Sequence, residues 1–365
     1  MRSLGAERCW AEVDTAALRQ NAEVARERVG AATALLAVVK ANGYGHGMVE
    51  VAGALREAAD LFGVANLHEA QELRASGIAQ PILILGSALP DERTEINVNG
   101  FIPTVSSLEE ARAFAGNSAG INFAIDTGMG RMGCWQDDAI VELEQIARIP
   151  GLIVHSISTH LPVADEDPAF TEEELIRFEE LVRQMRARVP GSYKVHVLLS
   201  AGILAFARHH FDIVRAGLML YGSSPLPEAQ KFLRPVMALK SRVTLLRDLP
   251  AGRSVSYGRT FVTAQPMRVA TISAGYADGY PRSISNRDGA VLIGGRRCPI
   301  LGRVTMDLMM ADVSAVPEAK LGDEVVLIGR QGREEIFAAE VAERAGTIAW
   351  EIFTGIGTRV RRVYL

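Results

Sequence analysis

The sequence predicts an α/β protein: an N-terminal (β/α)8 TIM-type barrel over residues 1–234, followed by a C-terminal all-β domain over 235–365. Three observations predict it. Short β-prone runs recur eight times before residue 220, mostly separated by charged or alanine-rich helical segments, and strands alternating with helices pair in parallel and close at eight. After Arg234-Pro235 the texture changes to strand-like pieces between turn signals. Apolar residues make up 48% of the 365, enough for a large core and too many for a disordered chain.

The predicted strands are Leu35–Lys40, Leu61–Asn66, Ile82–Gly86, Phe101–Val105, Ile121–Asp126, Leu152–His160, Val195–Ser200 and Asp212–Leu218. Predicted helices are Glu12–Arg28, with Asp14-Thr15 as its cap, then Val49–Ala59, Leu67–Ser76, Ser107–Ala115, Asp137–Ala147 and Thr171–Val189. In the last third, turns are expected at Leu249–Gly252, Gly294-Gly295, Gly322-Asp323 and Gln331-Gly332, and only Phe337–Arg344 reads as helix.

The net charge of −4 carries no nucleic-acid footprint. Cys9, Cys134 and Cys298 are too far apart for a metal cluster and odd in number, which fits reduced thiols in a cytoplasmic protein. Met1–Val13 lacks the apolar core of a signal peptide, and no uncharged apolar run nears the ~20 residues of a membrane span.

Barrel enzymes act at the C-terminal ends of their strands. Residues of chemical interest gather there: Lys40, Leu85-Gly86, Asp126 to Arg131, His160, Ser200 and Arg215-Ala216-Gly217. Lys40 has three readings. It snorkels into solvent, it clamps a phosphate, or it is a desolvated amine poised to form a Schiff base. The glycines of Gly43-Tyr44-Gly45-His46-Gly47 match no Walker spacing, which weakens the second.

The segment Lys40 to Gly47 resembles the pyridoxal-phosphate lysine motif of the alanine racemase family. The resemblance extends through Asp126 to Gly133, Val214 to Gly222, Tyr257-Gly258, Gly275 to Gly279 and Gly302 to Asp307. It implies interconversion of L- and D-alanine through a pyridoxal 5′-phosphate aldimine, with two bases, to supply D-alanine for peptidoglycan. Lys40 is the implied Schiff-base lysine and one base. Tyr276 is the implied second base, delivered with Met306 and Asp307 from the partner subunit of a homodimer. The implied cofactor neighbours are Lys40, Tyr44, Leu85, His160, Ser200, Arg215, Gly217, Leu218 and Trp350. Arg131, at the cofactor's phenolic oxygen, and Met306 are the implied substrate contacts. No metal is implied.

Three positions depart from the family pattern. Ala124 stands where many relatives carry a carbamylated lysine that steadies the arginine, so Asn122, an anion or a water is expected to serve Arg131 instead. Leu199 replaces an asparagine, and Trp350 replaces a tyrosine that reaches the phosphate. A racemase of serine or basic amino acids, or a pyridoxal-phosphate decarboxylase, remains an alternative, although the decarboxylases' histidine-glycine-serine stretch is not visible.

Overall fold

The computed structural model describes residues 7–365, so Met1–Ala6, part of the stretch read for a leader, lie outside the described residues. It contains the expected eight-stranded parallel barrel and a mostly-β region after it. Two compact units form: residues 18–43 with 48–234, and residues 7–17 with 44–47 and 235–365.

In the barrel unit the strands are Ala34–Val38, Leu61–Val64, Ile82–Ser87, Ile102–Val105, Ile121–Asp126, Val154–Ser158, Lys194–His196 and Ile213–Ala216. Each pairs in parallel with its sequence neighbour, and Ile213–Ala216 returns to Ala34–Val38 to close the ring. Closure leaves no free sheet edge. Strand alternation sends Leu36, Phe62, Phe123 and Ile157 into dry packing, each with essentially no exposure. The helices end within a few residues of expectation, as in Leu67–Ala75 and Pro168–Arg188. Arg93–Val98 and Ser200–Ala205 are helices that the sequence reading did not identify.

The second unit is organised around the long strand Met237–Leu249. Cys9–Val13 pairs antiparallel with it and parallel with Arg361–Tyr364, so the start of the predicted first helix is a strand. The helix itself runs from Thr15 to Val29, and Asp14 Oδ1 caps the N–H of Ala17 at 2.9 Å. Pairing with distant partners, which local pattern cannot reveal, is what groups the N-terminal residues with this unit. Gly294-Gly295 makes a two-residue hairpin turn, both residues with positive φ as the strand twist demands. Besides Ala338–Ala345 a second helix, Ala349–Thr354, is present.

Residues 44–47 belong to this unit because the chain there is clasped by it. Arg362 Nε donates to the Gly45 carbonyl at 2.9 Å and the Tyr364 hydroxyl to that of His46 at 3.1 Å. Gly45 has φ +78°, and a β-carbon there would stand 2.1 Å from the Phe353 carbonyl oxygen, so only glycine fits. Among the described residues no helix is long and apolar enough to cross a membrane.

Candidate active site

The first barrel strand ends at Val38, and the backbone then enters an unusual conformation. Ala41, Asn42, Gly43, Tyr44 and Gly45 all have positive φ, between 51° and 78°. A left-handed run costs non-glycine residues about 1–2 kcal/mol each, so the surroundings must enforce it. Glu69 does so at the entry, accepting the N–H groups of Ala41 (2.8 Å) and Ala65 (2.7 Å). Asn42 Oδ1 accepts the N–H of Met48 at 3.0 Å. The consequence is a sharply turned chain with Lys40 fixed at its start.

Lys40 is half-buried, and its amine titrates below the ordinary lysine value. Burial is the main cause, the nearby charges of Arg131 and Arg215 add to it, and Glu69 opposes. A larger neutral fraction is what an amine needs to act as nucleophile or base. His160 lies in the same field, and burial with Arg215, Arg131 and Lys40 pushes it down to about 3, so it is neutral at physiological pH.

Arg215 is the most tightly held of these groups. Nη1 donates to His196 Nδ1 (2.6 Å) and the His196 carbonyl (3.1 Å). Nη2 donates to the carbonyls of Thr159 (2.7 Å) and Val197 (2.9 Å). With the four terminal N–H groups so engaged, Nε–H remains to meet an acceptor. Burial, then Arg131, lowers the guanidinium to about 10, and it stays charged.

Since arginine only donates, His196 Nδ1 must accept, and its proton sits on Nε2. Nε2–H then donates to Asn122 Oδ1 at 3.1 Å. That oxygen also accepts from Ser156 Oγ (3.0 Å), and Asn122 Nδ2 donates to Ser158 Oγ (2.9 Å) and Thr104 Oγ1 (3.1 Å). The barrel interior thus carries a directional polar network in which donation runs from Arg215 through His196 to Asn122. It corrects one expectation: the Asn122 amide is fully engaged here and is not the group that serves Arg131. The loop bearing Arg131 is held by Asp126, whose Oδ1 accepts the N–H groups of Gly128 (2.9 Å) and Gly130 (3.1 Å). The Arg131 guanidinium makes no hydrogen bond among the described residues.

Ser200 Oγ accepts the N–H groups of Gly217 (3.0 Å) and Met219 (3.2 Å). The Gly217 amide, expected to meet a phosphate, is therefore already engaged. The Leu218 N–H between them makes no hydrogen bond among the described residues, and opens the 3-10 turn Leu218–Tyr221. Leu85 lies within the third barrel strand, Ile82–Ser87, half-buried.

The other expected residues lie in the second unit. Tyr44 is buried, which raises its phenol to about 12. Tyr276 opens a short turn in which Asp278 Oδ2 accepts the Gly275 N–H at 2.9 Å. Arg359 bridges Asp278 (2.8 Å) and Asp307 (2.9 Å), tying this turn to the Met306 loop. Met306 is 54% and Tyr276 40% exposed. Trp350 lies on Ala349–Thr354.

Tyr257 was given no role from the sequence, yet it is the more exposed phenol at 71%. Ser256, Gly258 and Arg259 around it have φ of +65°, +72° and +50°, and Ser256 Oγ donates to the Arg303 carbonyl to hold the turn. Left-handed backbone on both sides of an exposed phenol makes Tyr257 a candidate site residue. The sequence signal was the lone aromatic of Ser256-Tyr257-Gly258. His196 and Glu69 were also missed, and Asn122 was expected in another role, although His196 and Asn122 fall on the inward alternation of their strands.

Fold and site define a class: (β/α)8 barrels that hold a partly desolvated lysine amine among arginines at the C-terminal rim of the strands. Comparison with known proteins gives the particular family. Residues 13–225 match the alanine racemase N-terminal domain and 236–364 its C-terminal domain. The chain is 43% identical to the alanine racemase of Symbiobacterium thermophilum and 40% to that of Methylacidiphilum infernorum, covering 97% and 98% of this chain and 96% and 92% of those. Its structure is similar to alanine racemase from Streptomyces lavendulae (TM-score 0.89, 38% identity, 98% of this chain and 97% of that one). It is equally similar to the Bacillus anthracis alanine racemase with bound L-Ala-P (TM-score 0.89, 35% identity, 98% and 95%). The chain belongs to the alanine racemase family, a pyridoxal-phosphate-dependent one.

Proposed function

We propose that this protein is a pyridoxal-phosphate-dependent alanine racemase that interconverts L- and D-alanine and supplies D-alanine for peptidoglycan. The observation that carries the reading is the half-buried Lys40 with its lowered amine, fixed at a strained turn beside two arginines.

The residues present fit pyridoxal 5′-phosphate. The Nε–H of Arg215 and the N–H of Leu218 make no hydrogen bond among the described residues; the first suits a ring-nitrogen acceptor and the second a phosphate oxygen. When bound, the cofactor supplies an aldehyde that condenses with amines and a conjugated ring that delocalises the electron pair left at Cα. Lys40 is the group for the aldehyde and then the base on one face of Cα. Arg215 would hold the ring nitrogen through a hydrogen bond without giving up a proton, which would restrain the ring as an electron sink. Restraint favours return of the proton to Cα over side reactions. Arg131 and the neutral His160 complete the surroundings, with Leu85, Ser200 and Gly217 shaping the backbone near the phosphate.

Inversion needs a second base on the opposite face. A phenol of the second unit serves, and of the two exposed ones, Tyr276 and Tyr257, the strained setting favours Tyr257. We assign it from the partner subunit of a twofold homodimer, together with Met306 at the substrate carboxylate. Domain roles follow: residues to 234 hold the cofactor and residues 235–365 deliver the second base. Buried free thiols at Cys9, Cys134 and Cys298 support a cytoplasmic setting.

The test is a chiral assay of the purified protein with alanine, serine and basic amino acids. Racemisation of alanine above the others is expected. Preference for another substrate overturns the specificity, and carbon dioxide release overturns the reaction class.

A further inference from the structure

Helix Pro168–Arg188 contributes one fully buried carboxyl, Glu174, to a place the mechanism above does not use. Its Oε1 accepts the hydroxyl of Thr127 at 2.5 Å. Thr127 Oγ1 also contacts Thr159 Oγ1 at 2.8 Å. Thr127 has a single hydroxyl proton, given to Glu174 Oε1, so Thr159 donates to Thr127 whether the carboxyl is ionised or carries its proton on Oε2. The chain therefore runs one way, from Thr159 through Thr127 to Glu174.

Each threonine borders the site. Thr127 follows Asp126 and opens the loop that reaches Arg131, and Asp126 pins the same loop through Gly128 and Gly130. The carboxyl lies beside this loop: a β-carbon built on Gly128 would stand 4.0 Å from Oε1, an ordinary van der Waals separation. Thr159 precedes His160, and its carbonyl accepts Nη2 of Arg215. One outer-layer side chain thus reaches two strand ends at once.

We propose that Glu174 is a positioning residue that fixes the Arg131 loop against the strand end carrying His160, acting through the hydroxyls of Thr127 and Thr159. This rests on the reading that Arg131 and His160 belong to the active site. What the position requires is an acceptor at Oε1, not a charge. Among the described residues Oε2 is buried with no hydrogen-bond partner, as is Thr171 Oγ1 one turn earlier on the helix. A carboxylate there has half its charge unpaired, which burial disfavours. Two charged groups face it, Arg177 from its own helix and Asp126 from the loop, and they oppose each other, while Thr127 and Thr159 are neutral.

The experiment compares holoenzymes of wild type, Glu174→Gln, Glu174→Leu, Thr127→Val, the Glu174→Leu/Thr127→Val double variant and Arg131→Lys. A displaced loop a fraction of an ångström from its place raises KM for alanine by about tenfold to hundredfold. The expected result is that rise in Glu174→Leu and in Thr127→Val, with kcat within a few-fold and the bound-cofactor absorbance unchanged. Glu174→Gln keeps the acceptor and should stay within twofold of wild type. The double variant should be no worse than either single one, because both cut the same link. The melting temperatures of the cofactor-free proteins should show the same non-additivity. If Glu174→Leu does not fold, Thr127→Val breaks the link from its other end and is read in the same way.

Wild-type KM in Thr127→Val or Glu174→Leu, or effects that add in the double variant, overturns the proposal while leaving Arg131 in the site. An equal loss in Glu174→Gln overturns it too, by showing that the charge and not the acceptor matters. Unchanged kinetics in Arg131→Lys removes the underlying reading of Arg131 and the proposal with it.

Discussion

Replacing Asn122 by leucine tests the interior network directly. The side chain makes four hydrogen bonds, two given and two received, and is 2% exposed. The partners do not suffer equally. Thr104 Oγ1 keeps its bond to the Ile84 carbonyl (2.6 Å), and Ser156 keeps His155 (3.1 Å). Ser158 Oγ loses the bond from Asn122 Nδ2, and His196 Nε2 falls back on a longer contact to Ser156 at 3.3 Å. Two buried groups left poorly paired cost about 1–3 kcal/mol each, so a loss near 3 kcal/mol is expected. Asn122→Asp is nearly isosteric, yet should be no better. The Thr104 proton is engaged by Ile84, so its lone pairs would face the new oxygen. A buried aspartate would also ask His196 to become charged, which burial and Arg215 strongly oppose. Urea unfolding followed by circular dichroism reads both variants, and titration with pyridoxal phosphate reads the effect carried through His196 to Arg215. A stability change below about 1 kcal/mol in both variants would refute the network as described.

Glu174 gives a pH-dependent prediction. Burial raises its folded-state pKa above the unfolded value, so the native state favours the neutral acid, and that advantage is lost as pH rises through the folded value. Glu174→Gln should therefore raise the melting temperature at pH 8 and leave it nearly unchanged at pH 4; equal shifts at both would contradict the burial argument. With Ala124 in place of a lysine no carbamate forms at that position, and turnover should be the same in degassed and bicarbonate-containing buffer. Phenylalanine at the second base should lower turnover by about 10²–10⁴-fold in both directions, with the larger loss at Tyr257 than at Tyr276. Mixing Lys40→Ala with Tyr257→Phe chains should recover activity in heterodimers, and no recovery after confirmed exchange would place the site within one chain.

The barrel was legible because its strands are apolar runs set off by charged helices, a local signal read without knowing their partners. Short elements escaped. Ser200–Ala205 is buried nearly throughout and has no polar stripe to mark its period, and Arg93–Val98 buries only Ile96. Cys9–Val13 is a strand only because residues 237–241 and 361–364 lie beside it, a pairing of long sequence separation. The site divides the same way. Lys40 and Arg215 stand in recognisable motifs, whereas the contact of Arg215 with His196, and of His196 with Asn122, depends on the relative register of three strands. The left-handed run after Lys40 was hidden as well, since Ala41 and Tyr44 do not ordinarily adopt positive φ.

The central claim is that the Lys40 amine is the group that bears pyridoxal phosphate. Borohydride reduction of the holoenzyme followed by peptide mapping tests it most directly. A pyridoxyl group is expected on Lys40 alone, with loss of labelling and of racemisation in Lys40→Ala. Labelling at another lysine, or racemisation that survives in Lys40→Ala, would contradict it.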